Sequence, residues 1–260
     1  MKPNRLQQVL AEGRVPAGHM ISEFATRGIA KIVEAAGLDF VLLDMEHTGH
    51  GIARIADLLA WFKATPVAPI VRVPQPHYHF LARVMDAGAL GVMVPNVETA
   101  EEAKSVVDAV KYAPLGRRGV GLGTAHTDYV MPKDPGRYFE EANRATTVIC
   151  QIESEQGLAN ADAIAAVEGV DILWVGHYDL TMSMGMPGDF RAPRFLEAMK
   201  RVAGAAKRHG KSAGIQPGNL DQAAEWFALG FNVFSWGADA AVYGRALREA
   251  IGALRDCCGG

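Results

Sequence analysis

Eight short runs of apolar, often β-branched residues recur along the chain, with segments of helical spacing between them. The runs are 18–22, 40–44, 69–73, 91–95, 148–152, 172–176, 213–216 and 232–236, and the helical segments include 26–36, 79–87, 99–112, 157–167, 194–209 and 220–229. A strand signal that alternates this regularly with a helix signal marks βα units feeding a parallel sheet. Eight units with no linker between them predict a closed (β/α)8 TIM barrel, and 260 residues is an ordinary length for one. The span 1–260 is therefore read as a single domain. An open doubly wound sheet is the alternative. It would need GxGxxG after its first strand, and the nearest match, Gly119 to Gly123 in RRGVGLG, instead follows a helical segment and an irregular stretch. That stretch, 113–134, has no clear periodicity, and a connection so long is usually functional. Two helix starts are marked by caps: Thr99 stands three before Glu102, and Asn219 precedes Leu220-Asp221.

Composition removes several function classes. Hydrophobic residues make up 49% and charged residues 21%, as in an ordinary globular protein, and the net charge of −3 gives no reason to expect nucleic acid or an anionic membrane as partner. No apolar run is long enough to cross a bilayer, and the first residues lack the apolar core of a signal peptide, so a cytoplasmic protein is expected. The three cysteines, Cys150, Cys257 and Cys258, show neither metal-binding nor disulfide spacing. Cys150 alternates out of phase with Glu153 and should face the surrounding helices.

In a barrel of this kind the active site lies at the C-terminal ends of the strands. Those ends carry Asp44, Glu46 and His47, then Arg72, Asn96, Glu153, Asp179, Gln216 and Trp236. Glu153 and Asp179 each close a buried apolar run, where a carboxylate loses hydration unless a positive group compensates. Each could simply cap the next helix or pair with an arginine. Together at one mouth they suit a hard divalent cation, Mg²⁺, Mn²⁺ or Co²⁺, that keeps positions open for water and substrate. His47, with Asp44 three residues before it, has the makings of a proton acceptor near neutral pH; a surface histidine in a turn would read the same. Arg72, inside the apolar run APIVRVP, must find an anion, and either a protein carboxylate, for which Asp86 is the expected partner, or a substrate carboxylate would serve. No lysine falls at a predicted strand end, which argues against Schiff-base chemistry.

The motifs FVLLDMEHTGHG, VRVP, MDAGALGVMVPNVETAEEA, APLGRRGVG, QIESEQGLANADAIAAVEGVDILWVGHYDL and SMGMPG, in this order, resemble the HpcH/HpaI family of metal-dependent (class II) pyruvate aldolases from about residue 17 to 236. The resemblance implies an aldehyde-lyase that reversibly cleaves a 4-hydroxy-2-oxo acid to pyruvate and an aldehyde through a metal-bound enolate, in the breakdown of aromatic compounds or sugar acids. It implies Glu153 and Asp179 as metal ligands, His47 with Asp44 as an acid/base dyad, and Arg72 on the pyruvate oxygens. Gln151 and Asp86 take supporting positions, and the backbone N–H groups of Tyr178 and Asp179 lie where the pyruvate carboxylate is held. A homohexamer is implied too, with the C-terminal helix, roughly 239–254, packed on a neighbour. Two departures stand out: His177 follows Gly176 where the family has proline, and GTAHTDYV, with His126, replaces a loop arginine expected to border the aldehyde. Oxaloacetate decarboxylation, citrate-lyase-like cleavage and non-catalytic binding of a 2-oxo acid are the competing readings.

Overall fold

The computed structural model describes residues 2–259. Eight parallel strands close in sequence order into a barrel: β1 (Ala17–Ile21), β2 (Phe40–Asp44), β3 (Ala68–Arg72), β4 (Gly91–Val94), β5 (Thr147–Ile152), β6 (Ile172–Val175), β7 (Ser212–Ile215) and β8 (Val233–Ala238). β8 pairs back onto β1, so no sheet edge is left open. Each predicted strand is present to within two residues at either end. The open-sheet alternative is excluded by that closure.

Side chains alternate across the barrel wall. Val148, Cys150 and Ile152 of β5 join the cluster between strands and helices, whereas Ile149 joins the cluster inside the barrel. Cys150 is fully buried on the helix side, as its phase requires, and burial pushes its thiol up to about 12. Inside, Phe40, Leu42, Ala68, Ile70, Met93, Ile149, Ile172, Trp174 and Val233 pack together. The rings fill space that glycines leave open: a Cβ on Gly214 would lie 2.2 Å from the Trp174 ring. Leu6, from the helix Arg5–Ala11, closes the lower end of this interior. That helix is fixed by Asn4, whose side-chain amide donates to Leu90 O, Ala145 O and Thr147 Oγ1.

The predicted caps hold. Thr99 and Glu102 form a reciprocal capping box on the helix Ala100–Val110, and Asn219 Oδ1 accepts from Gln222 N at the start of Leu220–Ala228. The segment 157–167 is two short helices, Glu155–Ala159 and Ala161–Ala166, joined at Asn160. The irregular stretch contains only one turn of 3-10 helix, Ala125–Thr127, before the helix Pro135–Ala145. Among the described residues no helix is long and apolar enough to cross a membrane.

Candidate active site at the barrel mouth

The inward phase of three strands changes from apolar to ionic at its last step. Phe40 and Leu42 lead to Asp44, Ala68 and Ile70 to Arg72, and Ile149 to Gln151 and then Glu153. The same alternation that fills the core therefore delivers polar groups to its C-terminal end. Asp44 and Arg72 are register partners on β2 and β3, which sets their side chains next to each other on one face. Arg72 Nε donates to Asp44 Oδ1 and Nη2 to Oδ2, both at 2.8 Å, and Nη1 lies 3.0 Å from Glu46 Oε2. The guanidinium is thus held by a bidentate pair with Asp44 and an ion pair with Glu46, at 8% exposure for Arg72 and 1% for Asp44.

Glu153 stands across the mouth, buried, with Oε1 accepting from Asn96 N at 2.6 Å and Oε2 from the Gln151 amide. Burial, then the charges of Glu46 and Asp179, push its carboxyl up to about 7. Burial also raises Glu46, against the opposing pull of Arg72 and His47. Gly176, just past β6, is what allows β6 so close: a Cβ there would sit 2.2 Å from Glu153 Oε2. Asp179 follows in the first turn of the short helix His177–Ser183, where the first intrahelical bond is Leu180 N to Gly176 O at 2.8 Å. The amide hydrogens of His177, Tyr178 and Asp179 have no intrahelical acceptor, as at any helix start. A pocket lined by Met20, Arg72, Gln151, Trp174, Gly176 and Asp179 opens here, with a volume of 180 Å³.

The donor set fits a divalent cation. Three carboxylates, Glu46, Glu153 and Asp179, act on one another with Arg72 as the cation among them, and Gln151 Oε1 is buried without a hydrogen-bond partner. Hard oxygens with surplus negative charge in a partly dry cleft are what Mg²⁺-like ions bind. Among the described residues no three His, Cys, Asp or Glu side chains form a complete metal site. Glu153 and Asp179 would therefore supply part of a coordination sphere and leave the rest open.

The model of the HpcH/HpaI aldolase/citrate lyase family matches residues 20–246. The chain belongs to this family. A 5-keto-4-deoxy-D-glucarate aldolase of Citrobacter koseri is 33% identical over 253 residues, covering 97% of each chain. The crystal structure of an HpcH/HpaI aldolase from Desulfitobacterium hafniense DCB-2 superposes with a TM-score of 0.91 at 29% identity, covering 96% of each chain. A family member from Burkholderia cenocepacia J2315 gives 0.89 at 33% identity, covering 97% of this chain and 99% of the other. The protein is an aldolase-type lyase of a metal-dependent family.

Within this HpcH/HpaI barrel, several residues stand apart from where the sequence reading put them. Asp44 is not hydrogen-bonded to His47: both its oxygens serve Arg72, and Oδ1 also accepts from Glu46 N at 3.0 Å. The carboxylate nearest the exposed His47 is Glu46, at 3.8 Å from Nε2. Arg72 pairs with Asp44 and Glu46, not with Asp86, because Asp86 ends the helix Tyr78–Asp86 that runs away from the mouth. Asp86 pairs with Arg118 at 2.5 Å, so it does not support the pocket of its own chain. His126 is buried in the same region, with Nδ1 2.5 Å from Tyr138 Oη and Nε2 3.0 Å from Gly121 O. It pins the irregular stretch beside Pro69 and Leu90, at the opposite end of the strands from the site. One contributor, Glu46, carries no role from the sequence, although an acid two residues after Asp44 could have been matched to Arg72. The departure at His177 does fall in the pocket wall. His177 packs on Tyr178, Phe190 and Trp226 with centroids 4.7, 5.0 and 5.6 Å away, and burial holds its imidazole down at about 4, a neutral wall residue.

Proposed function

We propose that this enzyme cleaves a 4-hydroxy-2-oxo acid of the deoxy sugar-acid type to pyruvate and an aldehyde, with Mg²⁺, Mn²⁺ or Co²⁺ held by Glu153 and Asp179. The observation that carries the reading is the buried, carboxylate-rich mouth around one clamped guanidinium. The sugar-acid class is supported by the activity named for the 33%-identical relatives.

When bound, the cation supplies a sink for the negative charge that builds on the 2-oxo group as the carbon–carbon bond breaks. Arg72 places its N–H groups toward the same oxygens, and Asp44 and Glu46 keep it from swinging away. Asp44 is thus a positioning residue that acts through Arg72. The free amide hydrogens of Tyr178 and Asp179 bind the substrate carboxylate. Gln151 holds the Glu153 carboxylate in place through its amide. His47, at the rim beside Glu46, takes the proton of the 4-hydroxyl and passes it to solvent. The enzyme works in the cytoplasm without a nucleic-acid partner, as a homohexamer.

Chelation is the direct test. Pyruvate release from a 4-hydroxy-2-oxo acid should stop in excess chelator and return with Mn²⁺, Mg²⁺ or Co²⁺; full activity in chelator would falsify the metal role. Running oxaloacetate in parallel separates an aldolase from a decarboxylase, since a decarboxylase would turn over oxaloacetate alone.

A further inference from the structure

The seam between β1 and β8 breaks its register in one place. Gly18 is the partner of Ser235 and Met20 of Ala238, so β8 carries Trp236 and Gly237 where β1 has His19 alone. This is a β-bulge: Gly237 takes φ +60°, and His19 Nδ1 lies 2.7 Å from Trp236 O, which fastens the bulged strand to β1. An added residue reverses the phase of the strand beyond it. Asp239, the residue that follows β8, turns its carboxylate to the loop after β1.

The start of that loop has no main-chain acceptor. Pairing of β1 ends at Met20 on the β8 side and at Ile21 on the β2 side. The next three amide hydrogens, of Ser22, Glu23 and Phe24, go to the Asp239 carboxylate at 3.1, 3.0 and 2.7 Å, and Ser22 Oγ donates to it at 2.7 Å. No main-chain oxygen accepts from any of the three. Burial of Asp239 would by itself raise its carboxyl, but these donors outweigh it and hold the group below the ordinary carboxylate range. At 4% exposure the charge is an anchor, and its loss would leave partly buried amides without an acceptor.

Two residues before the loop, Met20 lines the mouth pocket and sets its Sδ 3.8 Å from Arg72 Nη2. Asp44 and Glu46 hold the guanidinium by charge, and Met20 is what it meets from β1. We propose that Asp239 is a positioning residue for the lyase reaction, fixing the end of β1 so that Met20 keeps the Arg72 guanidinium turned to the substrate. The inference rests on the assignment of Arg72 to the oxygens of the 2-oxo acid. Asp239 acts through the loop Ser22–Phe24 and Met20, and takes no part in bond cleavage.

The test uses the metal-loaded enzyme and follows pyruvate release from a 4-hydroxy-2-oxo acid. D239N keeps the side-chain shape and removes the charge. It should lower kcat at least about tenfold, the scale of one charge-assisted hydrogen bond, with KM within about threefold. M20A should lower kcat by a similar factor, and D239N added to M20A should lower it by less than about twofold more, because residues acting in one route are not additive. A merely structural role would lower the melting temperature of D239N and leave kcat per folded molecule at the wild-type value. That result overturns the inference, as does a full loss of about tenfold on top of M20A. Should D239N not fold, S22A removes one donor and leaves the charge: it should lower kcat about threefold in the wild-type background and not in M20A, and equal kcat losses in the two backgrounds overturn the inference. R72A separates the levels of failure. Wild-type kcat in R72A removes the mouth assignment and the positioning role together, whereas an inactive R72A beside a fully active D239N removes the role of Asp239 alone.

Discussion

Arg72 and Glu153 show how a single side chain can be necessary and destabilising together. Removing the guanidinium strands Asp44 as a lone charge at 1% exposure, and a broken buried pair loses about 3–5 kcal/mol. Arg72→Ala should therefore lower the urea midpoint sharply, and Asp44→Asn in the same chain should recover part of that loss. Glu153 works in the opposite sense when no cation is present. Its carboxyl is raised from 4.5 to about 7, so between those values the folded state keeps a proton that the unfolded chain has released. Stability of the metal-free protein then falls as pH rises across that window, by up to about 3 kcal/mol, and stays low above it. In chelator, the melting temperature should drop from pH 5 to pH 8, and Glu153→Gln should flatten the drop; an equal slope in both proteins contradicts the assignment. Mn²⁺ at pH 8 should raise the melting temperature of wild type and not of the variant. His47 makes no buried contact, so His47→Ala should cut turnover at least about a hundredfold with metal affinity nearly unchanged, measured by calorimetric titration of Mn²⁺.

At the scale of the element, Gly176 controls how closely β5 and β6 can bring their acids together. Gly176→Ala puts a methyl group 2.2 Å from Glu153 Oε2, against a side chain held by Asn96 and Gln151. Overpacking of this kind loses about 1–3 kcal/mol. The more telling effect is a weaker grip on Mn²⁺ and at least about tenfold lower turnover, while normal Mn²⁺ affinity would show that the strand ends can separate freely. The strands were legible because buried parallel strands read as unbroken apolar runs, and the two caps because Thr99 and Asn219 meet local chemical rules. The helix Arg5–Ala11 was not legible, since its role depends on Leu6 reaching a barrel interior assembled from distant residues. The site residues were legible as strand-end ions, but their pairing was not. Asp44 lies three residues from His47 along the chain, and that nearness suggested a dyad. Register across β2 and β3, which the sequence does not spell out, gives Asp44 to Arg72 instead.

Over the whole molecule, the part that does not fit a self-sufficient barrel is the C-terminal helix Asp239–Cys258. Its first residue is anchored firmly: Asp239 accepts from Ser22 N and Oγ, Glu23 N and Phe24 N, which ties the helix start to the loop after β1. Phe24 and Tyr243 add an edge-to-face contact at 5.5 Å. Beyond that the helix buries almost nothing, and Leu247, Ile251 and Leu254 are 46, 39 and 57% exposed at helical spacing. Ile32 and Phe227, on helices of the barrel wall, are 63 and 57% exposed as well. An apolar helix stripe and bare apolar wall residues on one molecule satisfy each other when copies exchange helices around a closed symmetry, as in the proposed hexamer. Leu247→Glu combined with Ile251→Glu should then shift the mass measured by light scattering from six chains to a smaller species and lower the melting temperature. The folded barrel should persist by circular dichroism, because neither residue contributes to its core. A wild-type protein that scatters as a monomer at micromolar concentration removes the hexamer, and with it the only cover these exposed side chains are assigned.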